Sequence, residues 1–160
     1  MLKPHFIFAL TTVALVAGCA TGPRAVSVAD TLGAQPQLST LNGLVAKAGL
    51  TDTLKSTGPF TVFAPTNDAF SKVPAATLQA LANDPAKLKA VLTYHVIAGQ
   101  VMAADVKNGN AKTVNGANLA LSKAGDFVTV EDAVVQKADI AATNGVVHIV
   151  DGVLMPLAAR

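Results

Sequence analysis

Apolar and polar positions along the chain switch between two periods. Residues 38–48, LSTLNGLVAKA, set Leu38, Leu41, Leu44, Val45 and Ala48 on one face of a helix. Gly49 followed by Leu50 is the expected left-handed stop with its hydrophobic contact. A second helix begins at Asp84 as N-cap with Pro85 in the first helical position, and buries Leu88, Val91 and Leu92. In FTVFAPTNDAF, residues 60–70, Phe60, Val62 and Ala64 alternate with Thr61 and Phe63 as a strand. Pro65 has no N–H for a ladder, so pairing stops there. Thr66 or Asn67 is placed to cap a new helix, Asp68 lies in its first turn, and Phe70 turns toward the core. The second half reads as a meander. Asn115-Gly116 marks a hairpin between KTV and ANLAL, and KAGD separates that run from FVTVEDAVVQKADI, residues 127–140. After Asn144-Gly145, residues 146–156, VVHIVDGVLMP, are apolar on both sides of the alternation, as in a strand covered on both faces.

The composition fits one folded domain: 160 residues, 51% hydrophobic against 14% charged, with a net charge of +2. The cations are scattered, Lys87 and Lys89 being the nearest pair after the leader, so no nucleic-acid partner is expected. The start differs from the rest. Lys3 precedes an uncharged stretch from Phe6 to Ala17, too short to span a bilayer but suited to a secretory signal over residues 1–18. VAGC, residues 16–19, resembles the cleavage box of bacterial lipoproteins. That resemblance implies acyl chains on Cys19, the only cysteine, and a lipid anchor in the cell envelope. Residues 19–26 then form a short tether, 27–157 the domain and 158–160 a tail. Ala20 after the Cys matches an outer-membrane sorting pattern if the host is Gram-negative.

Two long stretches resemble the fasciclin domain family. Gly58 to Phe70, GPFTVFAPTNDAF, looks like its first box and Asn144 to Pro156, NGVVHIVDGVLMP, like its second. Between them Tyr94 and His95 match the family's Tyr-His pair. The resemblance covers residues 27–156 and implies an α+β wedge, a β-sandwich-like core of about seven strands with packed α-helices. It also implies adhesion or matrix contact in place of catalysis.

Candidate chemistry is sparse. None of the serines lies in a G-x-S-x-G elbow, and the glycines fit neither a P-loop nor a dinucleotide fingerprint. After the leader there is one Glu, Glu131, and the Asp residues are spread along turns, so no catalytic carboxylate pair stands out and no catalytic residue is assigned. His95 and His148 lack metal-motif spacing and sit in apolar runs, which predicts hydrogen-bonded core histidines, no metal and no cofactor. Phe60, Phe63, Phe70, Tyr94 and Phe127 all fall in apolar patterns and are expected to pack in the core. By the resemblance, Tyr94 and His95 are candidate binding residues; if their segment is extended, they point to opposite faces and only one can meet a partner. The expected function is an envelope-anchored, non-enzymatic module contacting a protein, matrix or glycan surface. The alternative is a carrier of a small ligand or lipid, which requires an apolar pocket.

Overall fold

The fold is seen in a computed structural model that describes residues 26–156. The leader, Cys19, all of the tether but Val26 and the tail lie outside the described residues.

Helices come first. Ser27 caps α1 (Val28–Ala34) by accepting from the Asp30 amide. A 3₁₀ turn (Pro36–Leu38) leads into α2 (Ser39–Lys47), where Leu38, Leu41 and Val45 are buried. Gly49, at φ 68°, closes α2 as expected: its N–H donates to the Ala46 carbonyl and the Leu50 N–H to that of Val45, the paired bonds of a Schellman stop. α3 (Thr51–Lys55) then turns the chain into β1 (Phe60–Pro65). Beyond it lie α4 (Asn67–Ser71), α5 (Ala75–Asn83) and α6 (Pro85–Tyr94). The Asp84 carboxylate caps α6, and the Lys87 and Ala86 amides that donate to it hold its pKa below the usual range.

β2 (Val96–Ala98), β3 (Gly109–Lys112), β4 (Asn118–Ala124), β5 (Phe127–Val130), β6 (Ala133–Ala142) and β7 (Gly145–Val150) complete the architecture. The strands form one sheet of seven in the order β2-β1-β7-β6-β5-β4-β3. All neighbours are antiparallel except β1 and β7, which run parallel from Phe60↔Gly145 to Pro65↔Val150. The sheet curls until its two ends meet. Ile97 bridges Thr113, and the Val114 N–H donates to the Val96 carbonyl at 2.8 Å. The result is the expected α+β fold with a nearly closed, sandwich-like sheet.

Two hydrophobic clusters explain the alternation. Val62, Ala64, Val147 and Ile149 face the helices and pack with Leu32, Leu41, Leu88 and Leu92. Phe63 and Val150 face the sheet's interior, against Leu119, Leu121, Val128 and Val130. All six residues of β7 are therefore buried, which accounts for its unbroken apolar run.

Three features differ from the sequence expectation. FVTVEDAVVQKADI is two strands, because Glu131 at φ 53° and Asp132 turn the chain between β5 and β6. Phe127 is not a core residue: it lies beside the β4–β5 turn, on the outward parity of β5, and is 71% exposed. The Tyr94-His95 segment is a helix end, not an extended stretch.

The TNDAF joint divides its tasks by residue. Thr66 is the N-cap and accepts from the Ala69 amide at 3.2 Å. Asn67 instead reaches across to the helical layer. Its Oδ1 accepts from the Thr40 N–H at 3.0 Å, and its Nδ2 donates to the Pro36 carbonyl and to Ser39 Oγ. Asp68 is exposed and acts only through the field at the helix start. Asn67→Ala is therefore expected to lower the unfolding free energy by about 2 kcal/mol, and Asp68→Ala by about 0.5 kcal/mol. Urea denaturation of the two variants measures the difference.

Candidate functional site

Tyr94 ends α6 and His95 is its C-cap, so the two candidate binding residues sit where the helix hands over to β2. Both are buried, at 4% and 2% exposure. Neither can touch a macromolecular partner from this position. The Tyr94 hydroxyl donates to the Glu131 carboxylate, and the Asn118 carbonyl lies 3.2 Å from it. A charge-assisted bond to Glu131 ties the end of α6 to the left-handed turn joining β5 and β6.

The backbone dictates the tautomer of each buried histidine. The Val91 carbonyl, 2.8 Å from His95 Nδ1, can only accept, so Nδ1 carries the proton. The Leu154 N–H donates to Nε2 at 3.0 Å, so Nε2 is bare. His148 is the reverse: its Nε2–H donates to the Val101 carbonyl at 2.8 Å, while Nδ1 accepts from the Asp139 N–H at 3.2 Å. With both nitrogens of each ring engaged, neither has a lone pair free for a metal or for proton transfer to a substrate. Burial drives the His95 pKa down from 6.5 to about 4, against the opposing effect of the Val91 carbonyl. His148 is lowered for the same first reason, against the raising effects of the Val101 carbonyl and the Asp139 carboxylate. Phe63 stacks on the His148 ring with centroids 5.5 Å apart.

Asn144 carries the densest set of side-chain bonds at the start of β7. Its Oδ1 accepts from the Val28 N–H at 2.8 Å, and its Nδ2 donates to the carbonyls of Leu54 (2.7 Å) and Ser56 (2.8 Å). Its own carbonyl accepts from the Phe60 N–H at 3.0 Å. One residue, through its side-chain amide and its backbone carbonyl, thus joins the starts of α1 and β1 to the end of α3. In the sequence Asn144 showed as a turn residue heading the second box, but its bonds did not, because its partners lie far away in the chain. Glu131 and Asp139 escaped for the same reason. Asp139 holds the Ala103 N–H at 2.8 Å while its own amide holds His148, which pins the segment after β2 to a bulged stretch of β6.

This wiring has a pH consequence. Protonated His95 would turn Nε2 from acceptor to donor against the Leu154 N–H, so the folded chain resists the proton that the unfolded chain accepts near 6.5. Stability contributed by neutral His95 is complete above pH 6.5 and declines as pH falls toward 4, a difference of about 3 kcal/mol over that window. His148 adds in the same direction. In denaturation series between pH 4 and 7, His95→Gln is expected to lose stability less steeply than the wild type as pH falls. Parallel curves would contradict the assignment.

The family model for the fasciclin domain matches residues 36–156. Protein sll1483 of Synechocystis sp. is 39% identical over 145 residues, covering 89% of this chain and 80% of that protein. Immunogenic protein MPB70 of Mycobacterium bovis is 39% identical over 151 residues, covering 91% and 75%. Cell surface glycolipoprotein MPB83 of the same species is 40% identical over 146 residues, covering 88% of this chain and 64% of that protein. A solved FAS1 domain pair from the insect cell adhesion molecule Fasciclin I superposes with a TM-score of 0.72 at 17% identity. That match covers 84% of this chain and 52% of the pair, so the chain spans about half of the insect structure and shares its fold. The two boxes, their parallel pairing and these matches agree: the chain belongs to the fasciclin domain family.

Proposed function

We propose that this fasciclin domain is a non-enzymatic interaction module of the cell envelope, held at a membrane by lipid on Cys19 and contacting a protein, matrix or glycan surface. The observation that carries the reading is the outer face of β4–β6. Ala120, Ser122, Ala124, Phe127, Thr129 and Val134 alternate with the buried positions of those strands, carry no charge, and include the 71% exposed Phe127. An exposed aromatic among uncharged neighbours suits a contact surface, with the exposed Lys137 farther along β6. Tyr94 serves that face from beneath, by holding the Glu131 turn that carries β5 into β6. His95 fixes the backbone on which Tyr94 sits.

The carrier reading has less to stand on. Apolar spaces between the helices and the sheet measure about 30 and 20 Å³, room for about one water each. A wider hollow of about 290 Å³ is an open cleft lined by Thr57–Pro59, Gln100 and the β6–β7 turn, not an apolar cavity. The similarity to MPB83, a cell surface glycolipoprotein, and to Fasciclin I, a cell adhesion molecule, supports the surface setting. A single copy with one aromatic anchor binds weakly, and many copies on one membrane multiply that through effective concentration.

Attachment of expressing cells to protein- and glycan-coated surfaces tests this. Phe127→Ser is expected to cut single-site affinity by about 30-fold, the equivalent of about 2 kcal/mol for a buried aromatic, with thermal unfolding unchanged. Cys19→Ser is expected to move the protein from the membrane to the soluble fraction. Full attachment by Phe127→Ser cells would overturn the assignment of the face, and a membrane-bound Cys19→Ser protein would overturn the anchor.

A further inference from the structure

The sequence holds four Asn-Gly pairs, at 42–43, 108–109, 115–116 and 144–145. Asn-Gly is the dipeptide in which the backbone most easily attacks its own side chain, since glycine places no Cβ in the way. The fold treats the four pairs very differently. Asn42 and Gly43 lie inside α2, where helical dihedrals keep the Gly43 nitrogen from its neighbour's Cγ. The Asn144 amide is held by three hydrogen bonds, and Gly145 is buried between β1 and β6. Asn108 Oδ1 accepts from the Lys123 N–H at 2.6 Å. Asn115 alone of the four is exposed, outside any helix or strand, and without a side-chain hydrogen bond among the described residues. Gly116 beside it is exposed at φ 90°, with only its N–H bond to the Thr113 carbonyl to release.

We propose that Asn115 is a self-modification site whose conversion loosens the seam of the curled sheet. The Gly116 nitrogen loses its proton and bonds to Asn115 Cγ, the side-chain nitrogen leaves as ammonia with that proton, and a cyclic imide forms. Water then opens the imide. Cleavage at the side-chain carbonyl gives aspartate, and cleavage at the main-chain carbonyl gives iso-aspartate, which routes the backbone through one extra methylene. Asparagine and water go in; an acid and ammonia come out, with no oxidant or cofactor.

The location gives the chemistry a structural outcome. Asn115 lies in the short stretch that closes the sheet. Val114 N–H donates to the Val96 carbonyl at 2.8 Å, Asn115 N–H to the Thr93 carbonyl at 3.3 Å, and Thr113 bridges Ile97. An added methylene at 115 shifts the frame of these bonds, and both products place a new carboxylate beside the half-exposed Val114.

Peptide mapping of the full chain after ageing at mildly alkaline pH tests the proposal, with fragmentation that separates aspartate from iso-aspartate. Conversion at Asn115 is expected to lead. Each protecting bond lowers the reactive population by about fivefold, so Asn108 should lag by about that factor and Asn144 by about a hundredfold. In urea the four sites should converge. Faster native conversion at Asn42, Asn108 or Asn144, or no conversion at Asn115, would overturn the site. Hydrogen exchange on the aged chain is expected to speed up at Val114 while β7 stays protected. Unchanged exchange at Val114 in fully converted protein would overturn the loosened seam.

Discussion

The parallel pairing of β1 with β7 is the constraint on which the rest of the structure depends. These strands come from the two box segments, and among the described residues every other strand and three of the α-helices lie between them in the chain. Ordering that long intervening loop costs conformational entropy, which only contacts on both faces of the pair can offset. Both faces are used. Val62, Ala64, Val147 and Ile149 fill the helical side, while Phe63, Val146 and Val150 fill the other. The start of the pairing admits no side chain at Gly145, since a Cβ there would collide with the Phe60 carbonyl oxygen. Asn144, one residue earlier, ties this point to Val28, Leu54 and Ser56. The β1–β7 register and the seating of the helical layer are therefore set at one place.

From that pairing follows the division between scaffold and surface. The chain's most distinctive polar residues, Asn67, Tyr94, His95, Asn144 and His148, all point inward or across the joint and spend their hydrogen bonds on backbone and neighbouring side chains. Two histidines in opposite tautomers show how fully the interior is specified: each ring has one correct protonation, set by a carbonyl on one side and an amide on the other. The face proposed for contact is the outside of the curled sheet, where β4 and β5 present small, uncharged positions around the exposed Phe127.

Local chemistry was legible in the sequence wherever one element decides its own boundary. The Gly49 stop, the Asp84-Pro85 start and the end of β1 at Pro65 depend on dihedrals and donors within a few residues, and each appears where expected. The apolar run after Asn144 correctly announced a strand with two covered faces. Long-range wiring was not legible. Asn67 finds its partners 27 to 31 residues away, and Tyr94 finds Glu131 at 37. Phe127 shows the limit of periodicity: its alternation within FVTV is genuine, but parity alone does not say which side of the sheet faces out. The Tyr94-His95 segment was ambiguous because α6 passes into β2 within a single residue, so helical and extended readings fit the same letters.

Native-state hydrogen exchange, read residue by residue, bears most directly on the claim that the β1–β7 pair is the frame. Amides of Val62 to Ala64 and Val147 to Ile149 should exchange only through global unfolding, with protection matching the free energy from denaturant titration. The β3–β4 hairpin and α5 should open at lower cost. Earlier exchange in β1 and β7 than in those peripheral elements would show that the frame lies elsewhere.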